Sequence, residues 1–170
     1  MSTAVTLAIL LQAVLHRSGT GNSAAMTAFR EACVEGTLRL SSGRGKVLRG
    51  REITDFVYMS DWGRPTRRRT VVKLSAAPSS YIVVAEYKSL QPRSIARSCA
   101  LVSGDISKEE AMAGYLEGLP DRVVIPMRWP PQWTSDHPEL GYMKRLRFRS
   151  DGSIILEVGM YPAAATEMNR

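Results

Sequence analysis

Ser94-Ile95-Ala96-Arg97-Ser98-Cys99-Ala100-Leu101-Val102-Ser103 is the stretch on which the reading of this chain turns. It reads as a strand, and it carries one of only two cysteines. Two strand-like runs precede it, residues 67–74 and 81–87. The connection at 76–80 contains Pro78, which reads as the loop of a hairpin. The clearest helix in the chain follows, over residues 108–118. Ser107 as N-cap and Glu110 three residues on form a capping box. Met112, Tyr115, Leu116 and Leu119 are expected as its buried stripe, and Pro120 prevents continuation. Gly114 is a poor helix former, so its presence predicts close packing of this helix on the sheet. The other cysteine, Cys33, falls on a second helical segment, residues 24–35. There Phe29, Ala32 and Cys33 lie at i, i+3 and i+4 on one face, and Gly36 marks the stop. Cys99 is therefore read as the point where that helix is tied to the sheet.

The C-terminal part predicts a further hairpin, residues 142–149 and 153–161, around Ser150-Asp151-Gly152. A three-residue loop pairs Phe148 with Ile154 and Leu146 with Leu156. That register puts Leu146, Phe148, Ile154, Leu156 and Val158 on one face, which alternation makes the core face. The loop is then a type I turn with Gly152 in the left-handed position, and Arg145 stands opposite Glu157. Between the helix and this hairpin, 122–127 reads as a short strand and 126–138 as a proline-rich connector. Trp129 and Trp133 are expected to pack flat over a core edge. Residues 37–50 are ambiguous, with a short helix around Val47 and Leu48 as one reading, and 55–59 reads as a strand. Runs of strands with hairpin-length connections, set apart from the helices, indicate an α+β domain. The expected architecture is an antiparallel sheet of about five or six strands, with the N-terminal helix and one further helix packed on it.

The chain has 170 residues, a length that suits one domain able to bury its own core. No run reaches the roughly 18–20 apolar residues of a spanning helix. Residues 4–15 form a compact apolar run of leader length. Ser23-Ala24-Ala25 supplies small residues for a cleavage site after Ala25. The organisation read from this is a signal peptide over 1–25 and one α+β domain over 26–170, in the periplasm or secreted. No Lys or Arg precedes the apolar run, and Leu15 lies far from Ala25 for such a site. The formal net charge is +7, and Arg17 is the only Lys, Arg, Asp or Glu within 1–25. The folded part therefore keeps +7 − 1 = +6. Export would put Cys33 and Cys99 where disulfides persist. No other cysteine is available to either, so a Cys33–Cys99 disulfide is expected, with two reduced buried thiols as the alternative.

The helix segment Ala28-Phe29-Arg30-Glu31-Ala32-Cys33 after a leader, Cys99 on a strand, and the closing segment 140–162 together resemble small exported bacterial proteins with a helix cysteine and a strand cysteine. No established activity comes with that resemblance. It implies an oxidising compartment and a disulfide.

Candidate sites are few. Arg145, Arg147 and Arg149 alternate on one strand face, expected to be the solvent face of the hairpin. Arg64, Arg67, Arg68 and Arg69 precede the first hairpin. If the groups converge, they form an anion-binding patch, here assigned to Arg145, Arg147, Arg149, Arg67 and Arg69, with a polyanion or anionic envelope component as partner. No specific nucleic-acid motif accompanies them. Gly43-Arg44-Gly45-Lys46 is not a phosphate loop, because Val47 stands where Ser or Thr is needed. Asp136-His137-Pro138-Glu139 is the one place where a histidine meets carboxylates. It is read as a solvated loop with Asp136 in an Asx-type turn. A small hydrolase using His137 as acid or base, with or without a Cys99 nucleophile, is the rival reading. No catalytic residue, cofactor or metal is assigned, since structural zinc sites almost always need four ligands. The leading expectation is a non-catalytic exported domain with a binding or envelope role.

Overall fold

The computed structural model describes residues 23–35, 45–52, 66–87, 95–117, 125–127, 132–137 and 141–162. The chain order is α1 (Ala24–Phe29), a π-helical turn (Arg30–Val34), β1 (Gly45–Val47), β2 (Thr66–Leu74), β3 (Ser80–Tyr87) and β4 (Arg97–Ser103). Then come α2 (Lys108–Leu116), β5 (Ile125–Met127), β6 (Gln132–His137), β7 (Tyr142–Phe148) and β8 (Ile154–Met160). The strands form one sheet in the order β1-β2-β3-β4-β8-β7-β6-β5, and every neighbouring pair is antiparallel. The chain meanders through β1–β4 and leaves the sheet through α2. It re-enters at the far edge and meanders back, so that β8 closes beside β4.

The α+β class and the antiparallel sheet are as expected, but the described residues form eight strands where five or six were expected. The strands not foreseen are β1 and β6. β1 has three residues and lies where a helix was one reading. β6 occupies what reads as a proline-rich connector. Pro126 is accommodated because β5 is an edge strand, where one missing N–H costs no inner ladder bond. The expected strand at 55–59, together with Arg64, Leu119, Trp129 and residues 1–22, lies outside the described residues.

Side-chain alternation divides the sheet into two faces. One row of register partners runs Val72, Ile82, Leu101, Leu156, Leu146 and Trp133. This is the helix face: α1 lies against β3 and β4, and α2 against β7 and β8. The buried apolar residues of both helices join it in a single cluster. The β7–β8 hairpin has the expected register, with Phe148 opposite Ile154 and Leu146 opposite Leu156. Arg149 N–H donates to Ser153 O at 2.9 Å, closing the three-residue loop. Gly152 has φ 83°, the left-handed conformation this loop requires.

Ser23 caps α1, its hydroxyl accepting the Met26 N–H. The helix then widens into the π turn, closed by Glu35 N–H on Arg30 O at 2.9 Å. Ala25, Met26, Ala28, Phe29, Ala32 and Cys33 all stay on the buried side. In α2 the hydroxyl of Ser107 accepts the Glu110 N–H at 3.1 Å, as the cap pattern predicts. The Glu110 carboxylate does not return to its own cap. It accepts the Ser23 N–H at 2.7 Å and so holds the start of α1. Arg30 meets Glu117 at 2.8 Å near the ends of the two helices. Both ties span 87 positions, so α1 and α2 run side by side in the same direction.

The buried side of α2 is Ala111, Gly114 and Tyr115, with Met112 half-buried, whereas Leu116 is exposed. The expected stripe through Leu116 is thus displaced toward the small residues. A Cβ at Gly114 would run into Met26 Cε and press on Leu156. Small residues let α2 settle onto both the sheet and α1.

Candidate functional site

The far face of the sheet carries the charged residues that the sequence singles out. Its central row of register partners runs Val71, Val83, Ala100, Glu157, Arg145 and Thr134. Glu157 stands on β8, an inner strand, and is 0% exposed; Arg145 on β7 is 5% exposed. Their side chains form an ion pair, Nε to Oε2, at 3.7 Å. The cross-strand pairing is as expected, but the solvent exposure expected of this arginine row is not. Arg145 is buried, and Arg147 and Arg149 are half-buried. Alternation along β7 does separate Leu146 from Arg145, but it separates two buried faces rather than core from water. A buried pair of this kind requires both charges, because either one left alone in a low-dielectric site is strongly destabilising.

Apolar residues surround the pair in two clusters. Leu48, Val71, Val83, Ala100, Val102 and Ile155 form the first. Ala85, Tyr87 and Ile95 form the second, with Met143 and Tyr161 against it. Tyr87 and Ser98 share a buried hydroxyl–hydroxyl bond at 2.9 Å. Tyr161 donates to Asp136 Oδ1 at 2.6 Å. Burial, with that bond and the Asp136 charge, pushes the Tyr161 phenol up to about 12.

Of the two arginine groups, Arg69 shares the far face with Arg145, on strands four steps apart in the sheet order. Arg67 and Arg68 are exposed and Arg69 is half-buried. Arg149 pairs with Asp151 at 3.1 Å across the hairpin loop. The Asx-type turn expected at Asp136 is found instead at Asp151, whose Oδ1 accepts the Ser153 N–H and hydroxyl at 2.9 and 2.5 Å. Those bonds hold the Asp151 carboxyl below its usual range. Asp136 and His137 lie within β6 rather than in a loop.

Cys33 and Cys99 are joined, with Cα atoms 5.2 Å apart and 66 positions between them. Both are almost fully buried. The bond fastens the π turn to β4, and Cys99 is not available as a nucleophile. Trp133 is half-buried and packs against the core cluster as expected, but it meets Phe148 edge-on, at 5.2 Å between ring centroids, rather than lying flat. Among the described residues, no group of three or more His, Cys, Asp or Glu is placed to hold a metal ion. None of the described helices is long and apolar enough to cross a membrane.

Some polar features escaped the sequence reading. The Lys144 ammonium, buried on the helix face, donates to the Glu117 carbonyl at the C-terminal end of α2. That is the end of a helix where a cation is favoured. Burial pulls the Lys144 pKa below its usual value, and Glu117 opposes that pull. Ser80 and Ser103, both buried, share a bond at 2.7 Å, and Ser80 donates to Asp105 at 2.8 Å. Asp105 also accepts the Ser79 N–H at 2.9 Å, so the trio ties the start of β3 to the end of β4. A signal for the buried glutamate is present in the sequence. Glu157 interrupts an otherwise apolar run, Ile154-Ile155-Leu156-Glu157-Val158, such as a strand buried on both faces shows. Comparison of the chain with protein-family models, with curated proteins and with solved structures found no match.

Proposed function

We propose that this chain is an exported, disulfide-stapled domain, periplasmic or secreted, with a non-catalytic binding role toward a polyanion or an anionic component of the envelope. The observation that carries the reading is the Cys33–Cys99 disulfide, buried between the first helix and a central strand. Such bonds persist in oxidising compartments and are rare where thiols are kept reduced. The basic balance supplies the partner class: the chain carries +7, nearly all of it outside the leader segment. Arg145 is buried against Glu157, so anion contact falls to the more exposed Arg67 and Arg69 on β2 and to Arg147 and Arg149 on and beyond β7, where an anion would compete with Asp151 for Arg149. The hydrolase reading through His137 has less to support it, since Cys99 is oxidised and Asp136 accepts from Tyr161.

Two measurements test this reading. Residues 1–25 fused to a reporter enzyme active only after export should give activity, and an inactive reporter would overturn export. The full chain should bind heparin and release it steeply with rising salt. Replacing Arg147 and Arg149, or Arg67 and Arg69, with Ser should lower the salt needed for elution. Retention unchanged by salt and by both pairs would end the polyanion proposal.

A further inference from the structure

The start of the folded domain is built in a way that bears on where the leader is cut. Ser23 Oγ accepts the Met26 N–H at 3.2 Å and caps α1. The Ser23 N–H donates to Glu110 Oε1 at 2.7 Å, joining α1 to α2. Ala25 and Met26 are fully buried, and Met26 packs into the space left by Gly114. A cut after Ala25 would remove the cap, the tie to Glu110 and a buried methyl. It would also place a new ammonium on buried Met26, at a helix N-terminus. Burying an unpaired charge is costly, and that end of a helix disfavours positive charge.

We infer that the leader is removed at the bond between Gly21 and Asn22, so that residues 23–25 stay on the mature domain as part of its fold. Gly19 and Gly21 place small residues at both positions that such a site requires. This bond lies six residues beyond Leu15, against ten for a cut after Ala25. It therefore removes the excess length that the Ala25 site carries. Hydrolysis adds one water across the bond. The hydroxyl goes to the Gly21 carbonyl carbon, and the Asn22 nitrogen leaves as an amine that takes up a proton. The leader peptidase of the exporting cell is the catalyst.

The inference rests on the export reading, and one experiment separates the two. The full chain is expressed in an exporting bacterium, and the first residue of the recovered protein is read by N-terminal sequencing and intact mass. Asn22 as first residue, with loss of processing in Gly21→Leu, is the expected result. A first residue at Met26, or at any position other than Asn22, overturns the assigned bond and leaves export standing. An uncleaved chain recovered from the cytoplasm with two free thiols overturns the export reading, and this inference with it.

Discussion

The two faces of the sheet are both buried, but they are held by different means. The helix face packs apolar side chains from α1 and α2 onto one continuous cluster and locks it with Cys33–Cys99. Among its polar members, Lys144 meets the Glu117 carbonyl where α2 ends, and Ser80 and Ser103 bond each other where β3 starts and β4 ends. The far face has two smaller apolar clusters with the Glu157 and Arg145 ion pair set among them. One face relies on contact area and a covalent bond, the other on a matched pair of charges. Truncations on the helix face should therefore cost in proportion to what is removed. On the far face the cost should depend on whether the partner is removed as well.

The sharpest test of the helix face is its covalent bond. Reduction, or Cys33→Ala with Cys99→Ala, should lower unfolding stability by about 4 kcal/mol in the chain-entropy model for a loop of this span. Denaturant midpoints with and without reductant measure it, and an unchanged midpoint would mean the bond constrains little.

The far face is tested by breaking its charge pair. Glu157→Ala should cost about 3 kcal/mol by stranding Arg145, while Glu157→Leu with Arg145→Met should lie within about 1 kcal/mol of the parent. Equal losses in the single and double variants would remove the contrast between the faces.

Tyr115 sharpens the comparison from the other side. It is fully buried on the helix face, and its hydroxyl has no hydrogen-bond partner among the described residues. Burial pushes its phenol up to about 12 from 10.0. A folded pKa raised above the unfolded one means that the native state binds more protons between those values. Stability should then be insensitive to this group below pH 10 and fall by about 2 kcal/mol as pH rises to about 12. Tyr115→Phe should shrink that alkaline loss and raise stability at neutral pH by about 1 kcal/mol, since an unmet buried hydroxyl is removed. Ultraviolet titration of the phenols, alongside unfolding at pH 8 and pH 11.5, checks both outcomes.

The smallest effect concerns the tie between the helices. Ser23→Ala should cost about 1 kcal/mol through loss of the α1 cap. Its backbone bond to Glu110 remains, so Glu110→Ala should add to that loss in the double variant. Glu110→Ala without effect on thermal unfolding would mean that the two helices pack independently.

The sequence by itself determined the features that a few neighbouring residues encode. Ser107 capped its helix because a hydroxyl three residues before an amide suffices for that bond. Gly152 set the hairpin loop, and the loop set the register that brought Arg145 opposite Glu157. Two cysteines on segments with a common apolar face left one pairing, and it formed. Tertiary structure alone decided the rest. β1 and β6 are strands because a neighbour offers ladder bonds: the three residues of β1 carry too little periodicity to announce it, and β6 lies in a segment that reads as a proline-rich connector. Leu116 lost its place in the buried stripe to Ala111 and Gly114 because Met26, far away in the chain, required the space. Arg145 went into the interior because alternation says only that two faces differ, while burial depends on what lies across each of them. Glu110 left its own cap for Ser23 because a side chain takes whichever donor the fold brings near, and sequence distance does not enter that choice.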